Sequence, residues 1–230
     1  MFIIIAVISG LIGVQPDLGA TAVIIAIAMG VLFLGGLDGK IFTAVLILAI
    51  AIGFSMIYLS PWRLERMISY WDVWGNAYGK GYQLSHSLIA FGRGEWFGVG
   101  LGASIEKLHY LPESHTDFIM AVIGEELGFV GVVVVVVAFY FFVRRAFAIG
   151  RQSIKLDRVF PGLVAEGVGI WIGFQAIINL GVATGMFPTK GLTLPFVSYG
   201  GSSLIATIAA VALLLRVDRE NRILMRGGRV

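Results

Sequence analysis

The chain has 230 residues, 58% hydrophobic and only 13% charged, whereas a soluble domain carries roughly a quarter of its residues as charges. A net charge of +3 with no solvated basic face argues against nucleic acid as a partner, and the lack of cysteine excludes disulfides, thiolate zinc sites and cysteine nucleophiles. Residues 130–143 and 204–215 carry no Asp, Glu, Lys, Arg or His, so the bilayer is the natural solvent of this sequence.

A hydrocarbon core about 30 Å thick takes roughly 20 apolar residues per helix, which marks out about six segments. The first, 2–14, is short, has no Lys or Arg before it as a secretory signal peptide would, and reads as a helix cut partway. Gln15-Pro16-Asp17-Leu18-Gly19 is a polar turn leading to the second helix, 20–34, so the two form a hairpin; a third follows at 41–59.

Residues 60–116 then form a connection far longer than helices ordinarily need, and connections of that length usually serve function. It contains Trp62, Trp71, Trp74 and Trp96 with Tyr70, Tyr78, Tyr82 and Tyr110, aromatics that favour the membrane interface and predict short helices lying on the membrane surface. The glycines between Phe91 and Gly102 resemble a phosphate loop only superficially. No strand precedes them, and close packing or chain reversal accounts for them better.

Helices are predicted again over 118–143, 161–180 and 199–215. The basic sets Arg144, Arg145, Arg151, Lys155, Arg158 and Arg216, Arg219, Arg222, Arg226, Arg229 flank two of them and read as cytoplasmic, which puts 60–116 and the Gln15 to Gly19 turn outside. The expected fold is therefore all-α: a multi-pass transmembrane helical bundle of about six helices in a single domain over 1–230. Residues 60–116 form its long outer loop and 216–230 a cytoplasmic basic tail.

Ionisable and polar groups near membrane depth are functional candidates by default, and they concentrate in three places. Leu111-Pro112-Glu113-Ser114-His115-Thr116-Asp117 runs into a helix carrying Glu125 and Glu126. At helical periodicity Glu125 lies about 80° round from Asp117 and Glu126 on the opposite side, so Asp117 and Glu125 are expected to share a cavity while Glu126 faces another helix. An aspartate here also suits a helix cap, and structural hydrogen bonds suit both glutamates. His86, His109 and His115 all fall in the outer loop but lack the spacing of a metal motif, so no metal ligand is assigned.

In the helix 161–180, Gly162, Glu166, Gly169 and Gly173 share one small-residue face suited to close helix packing, with Glu166 expected to be buried and paired; Gln175 and Asn179 follow. The third place is 188–203, rich in glycine, proline and hydroxyls, backbone tolerated near membrane depth only where it is buried in protein or lines a wet cavity. Lys190 in this stretch is a candidate for an anionic group, or an interfacial lysine whose charge snorkels to water.

Residues 188–203 with Asn179 and Gly185 upstream, Tyr82-Gln83-Leu84, Trp96-Phe97-Gly98-Val99-Gly100-Leu101-Gly102, Leu111 to Phe118 and Gly124-Glu125-Glu126-Leu127-Gly128 together resemble the shape, elongation, division and sporulation family, FtsW/RodA/SpoVE, and most closely its division branch. The resemblance covers essentially the whole chain. It implies a ten-helix fold of which this chain is the C-terminal part, in the bacterial cytoplasmic membrane at the division septum. It implies a peptidoglycan glycosyltransferase that polymerises lipid II at the outer face, beside a class B penicillin-binding protein transpeptidase, other division proteins and membrane lipids.

By the same resemblance Asp117 is the catalytic residue, and Lys190, Glu113, His115, Thr116, Ser198 and Ser202 are substrate-binding. Deprotonating an acceptor 4-hydroxyl while a lipid pyrophosphate leaves calls for a carboxylate base and a cation, the latter being Lys190 or a divalent Mg²⁺ or Mn²⁺ ion. Two other readings stand beside this one: a lipid II flippase or other transporter, since broken helices and polar cavities also serve transport, and a non-catalytic scaffold for a penicillin-binding protein.

Overall fold

The computed structural model of the protein describes residues 18–189 and 191–228, with Val7, Gly10, Leu11 and Ile12; most of the expected first helix and the Gln15-Pro16-Asp17 turn lie outside the described residues. All regular structure among the described residues is helical. In chain order the helices are α1 (Leu18–Leu34), α2 (Gly39–Tyr58), α3 (Pro61–Trp71), α4 (Tyr82–Gly94), α5 (Ile119–Lys155), α6 (Val159–Ala183) and α7 (Gly201–Met225), with a distorted helical turn at Glu106–Tyr110. By length and apolarity α2, α5, α6 and α7 can each cross a membrane, and α1 is a shorter apolar helix of 17 residues. The protein is a multi-pass α-helical membrane protein. None of the residues of α2 is buried within the chain, as expected of an apolar helix whose surroundings are lipid or further helices.

The chain forms two compact units. The first holds residues 1–39, 137–176 and 200–230, and the second holds 40–136 and 177–199.

In the first unit the small residues of α6 let two helices come close. A Cβ on Gly162 would stand 2.6 Å from Cγ1 of Ile154, one on Gly169 3.1 Å from Cβ of Ala146, and one on Gly173 3.0 Å from Cγ2 of Val143, so the expected glycine face of α6 packs on α5. On another side of α6, Gly167 meets Val31 of α1 at 3.0 Å by the same measure. Ala146, Ile149, Ala165, Leu214 and Val217 form one apolar core of this unit, and Val168, Ile172 and Ala210 form another. Glu166 is buried there as expected. Its Oε2 has no hydrogen-bond partner, and Arg151 is the charged neighbour that acts on the carboxylate.

Two boundaries differ from expectation. α5 continues to Lys155 and α7 to Met225, so much of the basic connection and of the basic tail is helix. Buried residues explain the extension: Ala146, Ile149, Gly150 and Ser153 on α5, and Leu214, Val217, Asp218 and Asn221 on α7, keep the helical spacing of a core-facing stripe beyond the apolar runs.

In the second unit the long connection is more embedded than a purely interfacial reading implies. One face of α4, with Leu84, Ser85, Ser87, Ala90 and Gly94, is buried. Ser87 Oγ donates to the carbonyl of Ala183 at 2.7 Å, and Tyr70 Oη of α3 donates to that of Gly185 at 2.8 Å. Trp71, Trp74, Tyr78 and Trp96 remain exposed, as amphipathic aromatics at an interface would be.

α5 is broken near its start. Gly128 adopts φ 68 and ψ −164, a conformation open to glycine and strained for other residues. The backbone groups freed by the break are taken by the segment Glu95 to Gly100: Val99 N–H donates to Glu125 O at 2.9 Å and Gly100 N–H to Glu126 O at 3.1 Å. In return Phe129 N–H donates to Glu95 O at 2.9 Å and Val130 N–H to Trp96 O at 3.2 Å. Four groups that would have bonded along the helix are thus satisfied by an inserted chain segment. The contact leaves no room for side chains, since a Cβ on Gly128 would stand 2.6 Å from Phe97 N and one on Gly98 2.6 Å from Leu127 N. The glycine-rich run of the long connection is a packing device.

Candidate active site

The turn Glu113 to Phe118 leads directly into α5, and the irregular stretch 184–199 leaves the end of α6. Both belong to the second unit. Asn179, 1% exposed near the end of α6, uses its amide to tie them together: Nδ2 donates to Asp117 O at 2.9 Å and to Leu192 O at 2.6 Å. Its Oδ1 is buried without a hydrogen-bond partner. Ser198 makes a second tie, its Oγ donating to Thr116 O at 2.5 Å while accepting from Leu194 N at 2.7 Å. A third comes from Tyr199 N–H, which donates to His115 O at 2.9 Å. The position of Asp117 is therefore set by three cross-links between two irregular segments, each ending on a backbone carbonyl.

Asp117 itself is half-buried. A Cβ on Gly191 would lie 3.1 Å from its Oδ2, so the glycine keeps the second segment close to the carboxylate without crowding it. Thr116 is half-buried and donates through Oγ1 to Glu113 Oε2 at 2.6 Å; Glu113 and His115 are exposed. Of the residues expected to act together, Asp117, Thr116, His115, Glu113 and Ser198 are joined in this cluster. Ser198 is buried with its hydroxyl engaged on both sides by backbone, an arrangement that positions the turn. Ser202 is exposed in the first turn of α7, in the other unit, and Lys190 lies outside the described residues.

Glu125 does not share the surroundings of Asp117 in the way helical phase suggested. α5 begins at Ile119, so Asp117 stands in the preceding turn and a helical angle does not relate the two. Glu125 is fully buried, and its carboxylate accepts from Ser104 Oγ at 2.5 Å, Ile105 N at 3.1 Å, Glu106 N at 3.3 Å and Arg93 Nη1 at 3.3 Å. Its neighbour Glu126 pairs with Lys107, and Glu106 pairs with His86 at 2.7 Å. This polar node fastens residues 99–111 to α4 and α5. Sequence reasoning missed Arg93, Ser104 and Lys107 as its members; the available signal was three polar side chains flanking a glycine-rich run opposite a Glu-Glu pair.

Among the described residues no three His, Asp or Glu side chains converge on a possible metal position. A divalent ion carried with a pyrophosphate needs only one or two protein carboxylates.

Residues 1–223 match the cell cycle protein family FtsW/RodA/SpoVE. The chain belongs to that family. It is 61% identical over 228 residues to the probable peptidoglycan glycosyltransferase FtsW of Burkholderia thailandensis, covering 98% of this chain and 49% of that one. A protein of the same name from Polynucleobacter necessarius is 60% identical over 232 residues, covering 100% and 55%. This family member thus spans about half the length of the curated relatives it matches. Among solved structures it is similar to a chain of a peptidoglycan synthase complex described as coordinating polymerization and crosslinking, with a TM-score of 0.75 and 31% identity over 95% of this chain and 60% of that one. The rod shape determining protein RodA of Thermus thermophilus superposes with a TM-score of 0.61 at 30% identity, over 95% and 55%.

Proposed function

We propose that this chain supplies the catalytic half of a peptidoglycan glycosyltransferase, with Asp117 as general base. The observation that carries the reading is the pair of hydrogen bonds that Asn179 Nδ2 donates to Asp117 O and Leu192 O, which holds a carboxylate in fixed backbone beside a glycine. The Asp117 carboxylate takes the proton of the acceptor sugar's 4-hydroxyl as that oxygen attacks the anomeric carbon of the donor. The bond from that carbon to the lipid pyrophosphate breaks, and the pyrophosphate departs with the bonding electrons. Lys190 is assigned to the leaving pyrophosphate as a point charge, and Thr116, His115 and Glu113 to the sugars. The polymerising substrate in this reading is lipid II. The partner is a crosslinking transpeptidase of the class B penicillin-binding type, and the place of action is the outer face of the cytoplasmic membrane at the septum.

The helix break at Gly128 weighs against a transport reading. Its freed backbone groups are satisfied by residues 95–100 and so do not face a substrate path. In the full-length protein assayed with purified lipid II, Asp117→Asn is expected to lower polymerisation by about 10² to 10⁴-fold, while Asp117→Glu retains part of the activity. Polymerisation by Asp117→Asn at the wild-type rate would remove Asp117 from the mechanism and favour the scaffold reading.

A further inference from the structure

At the basic ends of α5 and α7 the first unit contains a recess of about 300 Å³ lined by Arg145 and Gln152 of α5, Asp218, Arg222 and Met225 of α7, and Arg226 just beyond it. Asp218 stands between two arginines: Arg145 Nη2 reaches Oδ1 at 2.9 Å and Arg222 Nη2 reaches Oδ2 at 2.7 Å. Pairing with one carboxylate fixes both guanidinium groups. Three arginines against one aspartate nevertheless leave the recess with an excess of positive charge. Both paired arginines keep more than half of their side-chain surface exposed, 55% and 57%, so their remaining donors are open to a ligand.

The recess sits where apolar helix gives way to charge. Arg145 follows the uncharged run ending at Val143, and Asp218 follows the run ending at Leu215. One turn back from Arg145 on the same stripe of α5 is Phe141, 57% exposed, and three residues back from Asp218 on α7 is Leu215, 61% exposed. A cationic recess thus continues along the helices into an apolar flank. A soluble anion would use only the first; a molecule with a phosphate at one end and hydrocarbon at the other would use both.

We propose that this recess binds the phosphodiester headgroup of an anionic membrane phospholipid, with its acyl chains along the Phe141 and Leu215 flank. Paired basic pockets between membrane helices suit such headgroups because each guanidinium offers donors to phosphate oxygens in a fixed fork. All the residues of the recess lie in the unit that does not contain Asp117.

The test is native mass spectrometry of the full-length protein in neutral detergent, titrated separately with dioleoyl-phosphatidylglycerol, dioleoyl-phosphatidylcholine and glycerol 3-phosphate. The expected result is preferential retention of phosphatidylglycerol, lowered about fivefold for each arginine removed in Arg226→Gln and Arg145→Gln/Arg226→Gln. Arg226→Gln leaves both Asp218 ion pairs in place, so misfolding does not explain a loss in that variant. Lys155→Gln/Arg219→Gln removes two exposed charges that do not line the recess and should bind as the wild type does. Unchanged phosphatidylglycerol retention in the recess variants would overturn the proposal, as would an equal loss in the Lys155/Arg219 control. Equal retention of phosphatidylcholine, or of glycerol 3-phosphate, would also overturn it, by showing that anionic charge or the acyl chains are not read.

Discussion

Replacing Asn179 by leucine keeps the volume of the side chain and removes its amide. The buried carbonyl of Leu192 and the half-buried one of Asp117 then lose the donor that joins them. A buried polar group left without its partner costs about 1–3 kcal/mol, a penalty that falls in full on the Leu192 carbonyl and in lesser part on that of Asp117 unless the segments separate to reach water. Separation relieves that penalty but moves Asp117 away from Gly191, and a misplacement of about 1 Å in a catalytic group can cost on the order of 10²-fold in rate. Asn179→Leu is therefore expected to lower kcat of lipid II polymerisation by about that factor or to lower thermal stability measurably, with partner assembly retained. The assay is steady-state polymerisation by the full-length protein, read as kcat and KM separately, beside a thermal unfolding curve. If kcat and the melting temperature both stayed at wild-type values, the amide would not be what holds the candidate base, and the geometric argument for Asp117 would lose its support.

Glu125→Gln should loosen residues 99–111, because a neutral amide accepts fewer of the four donors now aimed at the carboxylate; faster proteolysis or hydrogen exchange across that segment is the expected readout, and unchanged protection would refute the fastening role of Glu125. Lys190→Ala is expected to weaken turnover of lipid II, through the loss of a charge opposite pyrophosphate; unaltered kinetics would withdraw that role. For topology, a cysteine at the exposed Tyr78 should react with a membrane-impermeant reagent in intact cells while one at the exposed Gly227 should not, and the reverse pattern would invert the assignment. Ser104 is a poor labelling position, being buried against Glu125.

The long apolar helices were legible in the sequence because a membrane span announces itself by length and uniform hydropathy. Their ends were less so. Arginine is a good helix former, and the basic run after Val143 interrupts hydropathy without interrupting the helix. The stripe Ala146, Ile149, Gly150 and Ser153 was the available sign that α5 continues, and Leu214, Val217, Asp218 and Asn221 the corresponding sign for α7. The membership of Asp117, Thr116, His115, Glu113 and Ser198 in one cluster could be anticipated from motif resemblance, but the role of Ser198 could not, since a serine in a polar loop does not reveal that its hydroxyl is engaged by backbone on both sides.

What the sequence concealed has a common physical origin. The break at Gly128 lies in a stretch that reads as continuous helix, and it exists because residues 95–100, about thirty positions earlier, insert their own backbone into it. The Asp117 turn likewise depends on an asparagine 62 residues away and on a loop beyond it. Irregular backbone near a membrane must find partners within the protein, because lipid offers none. In both places the chain meets that demand with donors and acceptors brought from distant sequence, and nothing local encodes which ones they are. The same demand fixes geometry: a carboxylate whose neighbouring carbonyls are held by Asn179, Ser198 and Tyr199 cannot shift without leaving buried polar groups unpaired. The requirement that makes loops rare at membrane depth is thus also what makes this one rigid enough to hold a candidate base.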